Sequence, residues 1–186
     1  MMLPLIIIIV VIVIIFGWIM SLYNGLVAKR NIITNAFSDI DVQLKRRYDL
    51  IPNLVETVKG YSGYEQSVLE NITAARTAAM STPISNVAAK AQSENVLSGA
   101  LKNLFAVSEN YPQLRASENF QQLQSELSAI ENDIQSARRY FNAATREYNT
   151  GLQSFPANMV AGSFGFTTSE SFGAAESERE NVKVSF

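Results

Sequence analysis

With neither cysteine nor histidine among its 186 residues, this chain can do chemistry only with carboxylates, cations, hydroxyls and amides. Disulfide frameworks, zinc and iron–sulfur sites, haem ligation by histidine, Ser-His-Asp triads and Cys-His dyads are excluded. A bound metal would have to be a hard cation held by carboxylate oxygens. The carboxylates are not spaced for it. Asp39 and Asp41 stand two apart and diverge on a helix, and Glu126, Glu131 and Asp133 lack the Glu-x-x-His pattern of a di-iron bundle. Gly60-Tyr61-Ser62-Gly63 approaches a nucleophile elbow, but Tyr64 stands where that motif needs glycine, and a helical pattern precedes it where a strand is required. Carboxylates alone can run acid–base chemistry such as glycoside hydrolysis, given a substrate cleft, and an alanine-rich bundle gives no sign of one. No catalytic residue, cofactor or metal site is expected, and the chain reads as non-enzymatic.

The cations are the next candidates. Lys45-Arg46-Arg47 is the densest basic cluster, yet successive helix residues point about 100° apart, so the three fan around the axis and form no stripe. Salt bridges to carboxylates of neighbouring helices are the favoured role. With Pro52, the same Lys45, Arg46 and Arg47 make up the candidate protein-contact surface, and Arg138-Arg139 carries the same two readings. A formal net charge of −2 leaves no electrostatic footprint for nucleic acid, and none is expected as a partner.

Long helices must position these groups. Ile33, Phe37, Ile40, Leu44, Tyr48, Ile51, Val55 and Val58 recur at spacings of three and four, as do Phe120, Leu123, Leu127, Ile130, Ile134, Ala137, Phe141, Ala144 and Tyr148. Shorter series run through Val68, Ile72, Ala75 and Ala79, and through Val87, Ala91, Leu97, Leu101, Leu104 and Phe105. Breaks at Gly60 to Gly63, Ser81-Thr82-Pro83 and Asn110-Tyr111-Pro112 separate four helices, and short connections predict an antiparallel four-helix bundle. Pro52 should kink or restart the first helix, with Asp49 placed to cap the restarted part. The alanines of the second helix, Ala74, Ala75, Ala78 and Ala79, predict close packing.

The bundle is preceded by an apolar run. Leu3 to Met20 carries no charge and, as a helix, spans roughly 27 Å at about 1.5 Å per residue, close to a hydrocarbon core of about 30 Å. Trp18 and Tyr23 at its edge, then Lys29 and Arg30, have the character of interfacial anchors. No basic residue precedes the run and no convincing cleavage pattern follows it, so a retained anchor is favoured over a cleaved signal. Gly17, Ser21 and Gly25 stand four apart, a small-residue ladder suited to helix packing in the membrane. Beyond residue 154 the periodicity stops. Half of the ten phenylalanines lie there, and Phe155, Phe164, Phe166 and Phe172 need a surface to dock on, whether the bundle end, a headgroup layer or a neighbouring subunit.

The residues also carry a resemblance. The run from Ile40 to Val55, IDVQLKRRYDLIPNLV, followed by Thr57-Val58-Lys59-Gly60-Tyr61, closely resembles the signature of the bacterial LemA family. Tyr23 to Val27 with Arg30-Asn31, Ala137 to Asn142, Tyr148-Asn149-Thr150, Gln153 to Asn158, Ala161-Gly162, Phe164-Gly165-Phe166 and Val184-Ser185-Phe186 are similar to its other blocks, so the likeness covers essentially the whole chain. Two departures stand out: Tyr64-Glu65 where the family commonly has His-Glu, and Ser171-Phe172 where Tyr-Phe is usual. The resemblance implies a single amino-terminal span and a helical bundle. A magnetosome-associated member directs the expectation toward membrane organisation or protein handling.

Taken together, the chain is expected to be all-α, with a transmembrane anchor at 1–25, a four-helix bundle at 26–154 and a Phe-rich tail, partly disordered, at 155–186. The expected function is a self-associating scaffold on the bacterial inner membrane, its body in the cytoplasm by the Lys29 and Arg30 bias, with the lipid bilayer, copies of itself and other membrane proteins as partners. The rival expectation is an adaptor or accessory subunit of a membrane protease or signalling system.

Overall fold

A computed structural model describes residues 2–60 and 66–173. Residues 61–63 of the pattern rejected as a nucleophile elbow, the Tyr64-Glu65 departure and the closing Val184-Ser185-Phe186 lie outside the described residues.

The described chain is helical, with no strand among its residues: α1 Met2–Lys59, α2 Gln66–Ser81, α3 Val87–Ser108, α4 Pro112–Arg115, α5 Glu118–Gln153 and α6 Ala157–Ser163. At about 1.5 Å per residue, the 58 residues of α1 extend roughly 87 Å. Its first third is rich in Ile and Val, modest helix formers in water, but in an apolar medium a helix satisfies every backbone group internally and that requirement overrides propensity. Asn86 caps α3, its side chain accepting from Ala89 N, and Ser117 caps α5, accepting from Phe120 N, with Glu118 in the first turn of that helix. Two small elements were not anticipated. Pro112, at the first position of a helix where its missing N–H costs nothing, opens the single turn α4. The tail, expected to be irregular, contains the two-turn α6.

Helix α5 runs antiparallel to α1 in a fixed register: Gly151 faces Leu26, Phe141 faces Phe37 and Glu131 reaches Arg47. Helices α2 and α3 form a hairpin laid against this pair. One apolar core joins Ile40, Leu44, Ile51 and Leu54 of α1 to Ile72 and Ala79 of α2, Leu97 and Leu104 of α3, and Phe120, Ile134, Phe141 and Tyr148 of α5. Each large side chain so buried contributes about 1.5–3 kcal/mol from removal of apolar surface from water. The alanine stripe is only half used, since Ala75 and Ala79 are buried while Ala74 and Ala78 face outward. By contrast, nearly all of residues 2–20 is exposed, and no residue of the most apolar window is buried against the rest of the chain.

Candidate functional site

The most concentrated polar constellation lies inside the body, where three helices converge on Arg47. Its guanidinium donates from Nη2 to Glu94 and from Nη1 to Glu131 (2.7 Å) and Ser98 Oγ (2.8 Å). Glu94 also accepts from the Tyr48 hydroxyl and pairs with Lys90 Nζ at 3.3 Å. Lys90 in turn donates to Tyr48 Oη (2.9 Å) and to the Ala79 carbonyl (2.7 Å). Arg47 and Glu94 are both fully buried. Two cations and two carboxylates balance, which is the condition under which buried charge is tolerated. Burial, then the hydrogen bond to Glu94 and that carboxylate's charge, push the Tyr48 phenol far above its ordinary value, against the opposing pull of Arg47. Tyr48 is thus a fixed neutral donor.

Next to this network, Pro52 leaves a gap in α1. A proline has no N–H for the carbonyl four residues back, which is that of Tyr48. The missing bond is supplied from α2, where Arg76 Nε donates to Tyr48 O at 2.8 Å. Helix α1 therefore runs on through Pro52 without the expected restart, and Asp49 caps nothing there.

The tail is fastened by two asparagines. Asn142 donates to Phe172 O (3.0 Å) and accepts from Phe172 N (2.8 Å); Asn149 does the same with Ser169 O and Ser169 N, both at 2.9 Å. Each side-chain amide mimics a strand edge. Seven helical residues advance about 10.5 Å and three extended residues about 10 Å, so the two spacings match. Phe172 is thereby buried against Phe37 and Phe141, beneath the guanidinium of Arg138 at 4.6 Å from its ring centre.

At the other end of the body, Tyr23 packs edge-on against Phe164 (5.1 Å between centroids) and Phe166 (5.5 Å), with Arg30 over the Phe166 ring at 5.6 Å. Gly165, at φ +70°, makes the left-handed turn that ends α6 and allows Phe166 N to reach back to Ala161 O. Lys29 pairs with Glu147 at 3.2 Å.

Against known proteins, the sequence pattern of the LemA family matches residues 36–186. The chain belongs to the LemA family. It is 31% identical over 165 residues to Protein LemA of Metamycoplasma hominis, covering 87% of this chain and 74% of that protein. It is 24% identical over 174 residues to Magnetosome protein MamQ 1 of Paramagnetospirillum magneticum and to Magnetosome protein MamQ of Magnetospirillum gryphiswaldense. Those matches cover 81% of this chain and 64% of each relative, so the chain spans just under two thirds of their length.

In this LemA family member the residues singled out from sequence scatter to different places. Arg47 must be withdrawn from the contact surface, because its side chain is fully buried in the ionic network, whereas Lys45, Arg46 and Pro52 are exposed. Arg138 is buried over Phe172 with Nη1 on Asn95 (3.0 Å), while Arg139 is exposed. Gly17, Ser21 and Gly25 are exposed, and a Cβ added at either glycine would meet nothing within 4 Å. Trp18 and Tyr23 are part exposed. Phe166 and Phe172 pack on the chain's own helices; Phe155 and Phe164 remain 78% and 55% exposed. Sequence reasoning missed Lys90, Glu94 and Arg76. The first two occupy the register of the α3 apolar series, at positions 90, 94, 97, 101 and 104, and a charge on that stripe is the signal that could have found them.

Proposed function

We propose that this chain is a non-enzymatic, single-pass membrane-anchored scaffold whose antiparallel four-helix bundle stands on the span and whose copies associate to organise a bacterial membrane or gather partners on it. The observation that carries this reading is the continuity of α1: one helix holds both an uncovered apolar segment long enough to cross a bilayer and the central strip of the body's core. A rigid connection of that kind transmits position from membrane to body. Similarity to proteins named for the magnetosome is in keeping with an organising role. Lys29 and Arg30, just beyond the apolar segment, favour a body in the cytoplasm and an inner-membrane location.

The contact face proposed for the spans is Gly17, Ser21 and Gly25, whose small side chains let a second helix approach closely. Gly17→Leu with Ser21→Leu leaves the single chain unstrained, since space around both positions is open. In nanodiscs the double variant is expected to lose the oligomer that the parent chain forms on sedimentation. A parent chain that stays monomeric at every concentration overturns the scaffold reading. The exposure of Lys45, Arg46 and Pro52 favours the second reading, an adaptor that docks another membrane protein through the bundle. A pull-down returning only copies of this chain counts against it.

A further inference from the structure

We infer that the corner between α5 and α6 is a second membrane contact, a monotopic wedge that seats the base of the body in the interfacial layer of the bilayer. The inference rests on the reading of α1 as a membrane span. Tyr23 marks the membrane edge of that span, and the register of α5 on α1 places Gly151 level with Leu26, three residues or about 4.5 Å further from the bilayer. Four residues beyond Gly151 toward the membrane is Phe155, at about the level of Leu22 and Tyr23. The chain then turns through α6 and returns upward, Phe164 and Phe166 against Tyr23, Ser169 on Asn149, and Phe172 on Phe37. Residues 155–164 are therefore the lowest part of the body.

Their character matches that position. Phe155, Met159 and Phe164 are 78%, 68% and 55% exposed. The chain from Tyr148 to Ser169 contains no charged residue, whereas Lys29, paired with Glu147, and Arg30, over the Phe166 ring, lie just above. Large apolar tips below and cations above are the arrangement that interfacial elements present to a lipid surface. Exposed aromatics in water would be an aggregation liability; at this level they meet acyl chains instead. With two contacts, span and wedge, the body cannot pivot freely about the span.

The natural absence of cysteine allows a direct test in full-length protein reconstituted in nanodiscs of phosphatidylcholine with a minority of phosphatidylglycerol. Single variants Phe155→Cys, Met159→Cys and Phe164→Cys carry an environment-sensitive fluorophore, with Val11→Cys as the reference inside the span and Glu109→Cys at the far end of the body. Lipids with a quencher near the headgroup end of the acyl chain are expected to quench the three corner positions several-fold more than Glu109→Cys. Corner positions no more quenched than Glu109→Cys, while Val11→Cys is quenched by deep-chain probes, overturn the wedge and leave the span intact. An unquenched Val11→Cys removes the span reading and the wedge with it. Corner labels shielded from water but insensitive to lipid quenchers, and responding to the number of copies per disc, overturn the lipid contact in favour of a contact between copies.

Discussion

Burying Arg47, Lys90 and Glu94 together removes three charges from water, a penalty of several kcal/mol per ion before any pairing is formed. Glu94 is the member shared by both cations, so its loss is the most damaging single change. In Glu94→Leu, Arg47 keeps Glu131 but Lys90 is left as an uncompensated buried ammonium, and a loss of about 3–5 kcal/mol is expected in chemical denaturation followed by circular dichroism. Glu131→Ala is expected to cost clearly less, because the Glu131 side chain is 27% exposed and Arg47 retains Glu94. Equal effects of the two changes would contradict this ranking. Tyr48 adds a pH dependence of definite sign. Its folded value lies above the 10.0 of the free phenol, so the folded state holds the proton more tightly; this contribution is complete below pH 10 and is lost as pH rises beyond it. Burial acts on Tyr148 in the same direction, with Arg30 opposing. Alkaline titration of tyrosinate absorbance should therefore show a fraction that appears only with unfolding, and Tyr48→Phe should shrink that fraction. Amplitude lost from the freely titrating fraction instead, with the unfolding-linked fraction unchanged, would show that Tyr48 ionises freely.

Helix α1 stays helical through Pro52, and another helix supplies the donor that its hydrogen bonding lacks there. This makes Arg76 and Pro52 energetically coupled. Arg76→Met exposes a carbonyl without its donor and is expected to cost about 1.5–3 kcal/mol, the range for a hydrogen bond to a charged group. In a Pro52→Ala background, the restored N–H of residue 52 can satisfy Tyr48 O, so the same Arg76→Met change should cost measurably less. Additive costs across this double-mutant cycle would dissociate the two. The tail follows a similar logic, in that its backbone groups at Ser169 and Phe172 are paired by two asparagines seven residues apart on α5. The resemblance blocks had marked Asn142, Asn149 and Phe172, but their mutual pairing depends on an extended chain lying antiparallel to a helix, a relation that no local pattern encodes.

At the level of the molecule, one continuous α1 sets where everything else stands. If the body faces the cytoplasm, Glu109→Cys at the exposed far end should resist a membrane-impermeant maleimide in intact cells and react after lysis. Labelling from outside would reverse the orientation. The apolar run, the helical periods of α1 and α5 and the breaks between helices were legible in the sequence because each is a local matter: uninterrupted hydrophobicity, a repeat of 3.6 residues, or the backbone limits of glycine and proline. The chain's lack of cysteine and histidine likewise bounded its chemistry before any fold was known. Tertiary structure alone decided the rest. Lys45, Arg46 and Arg47 are adjacent in sequence and equally basic, yet only Arg47 faces the carboxylates that α3 and α5 bring to it, because burying a charge requires partners whose positions are fixed by packing. Pro52 forecast a kink or a restart, and α1 does not restart there; the donor for the carbonyl that proline leaves free comes from 24 positions further along the chain, Arg76 in α2. Phenylalanines that were alike as sequence were divided by the path of the tail: Phe172 sealed in the core, Phe155 left facing outward.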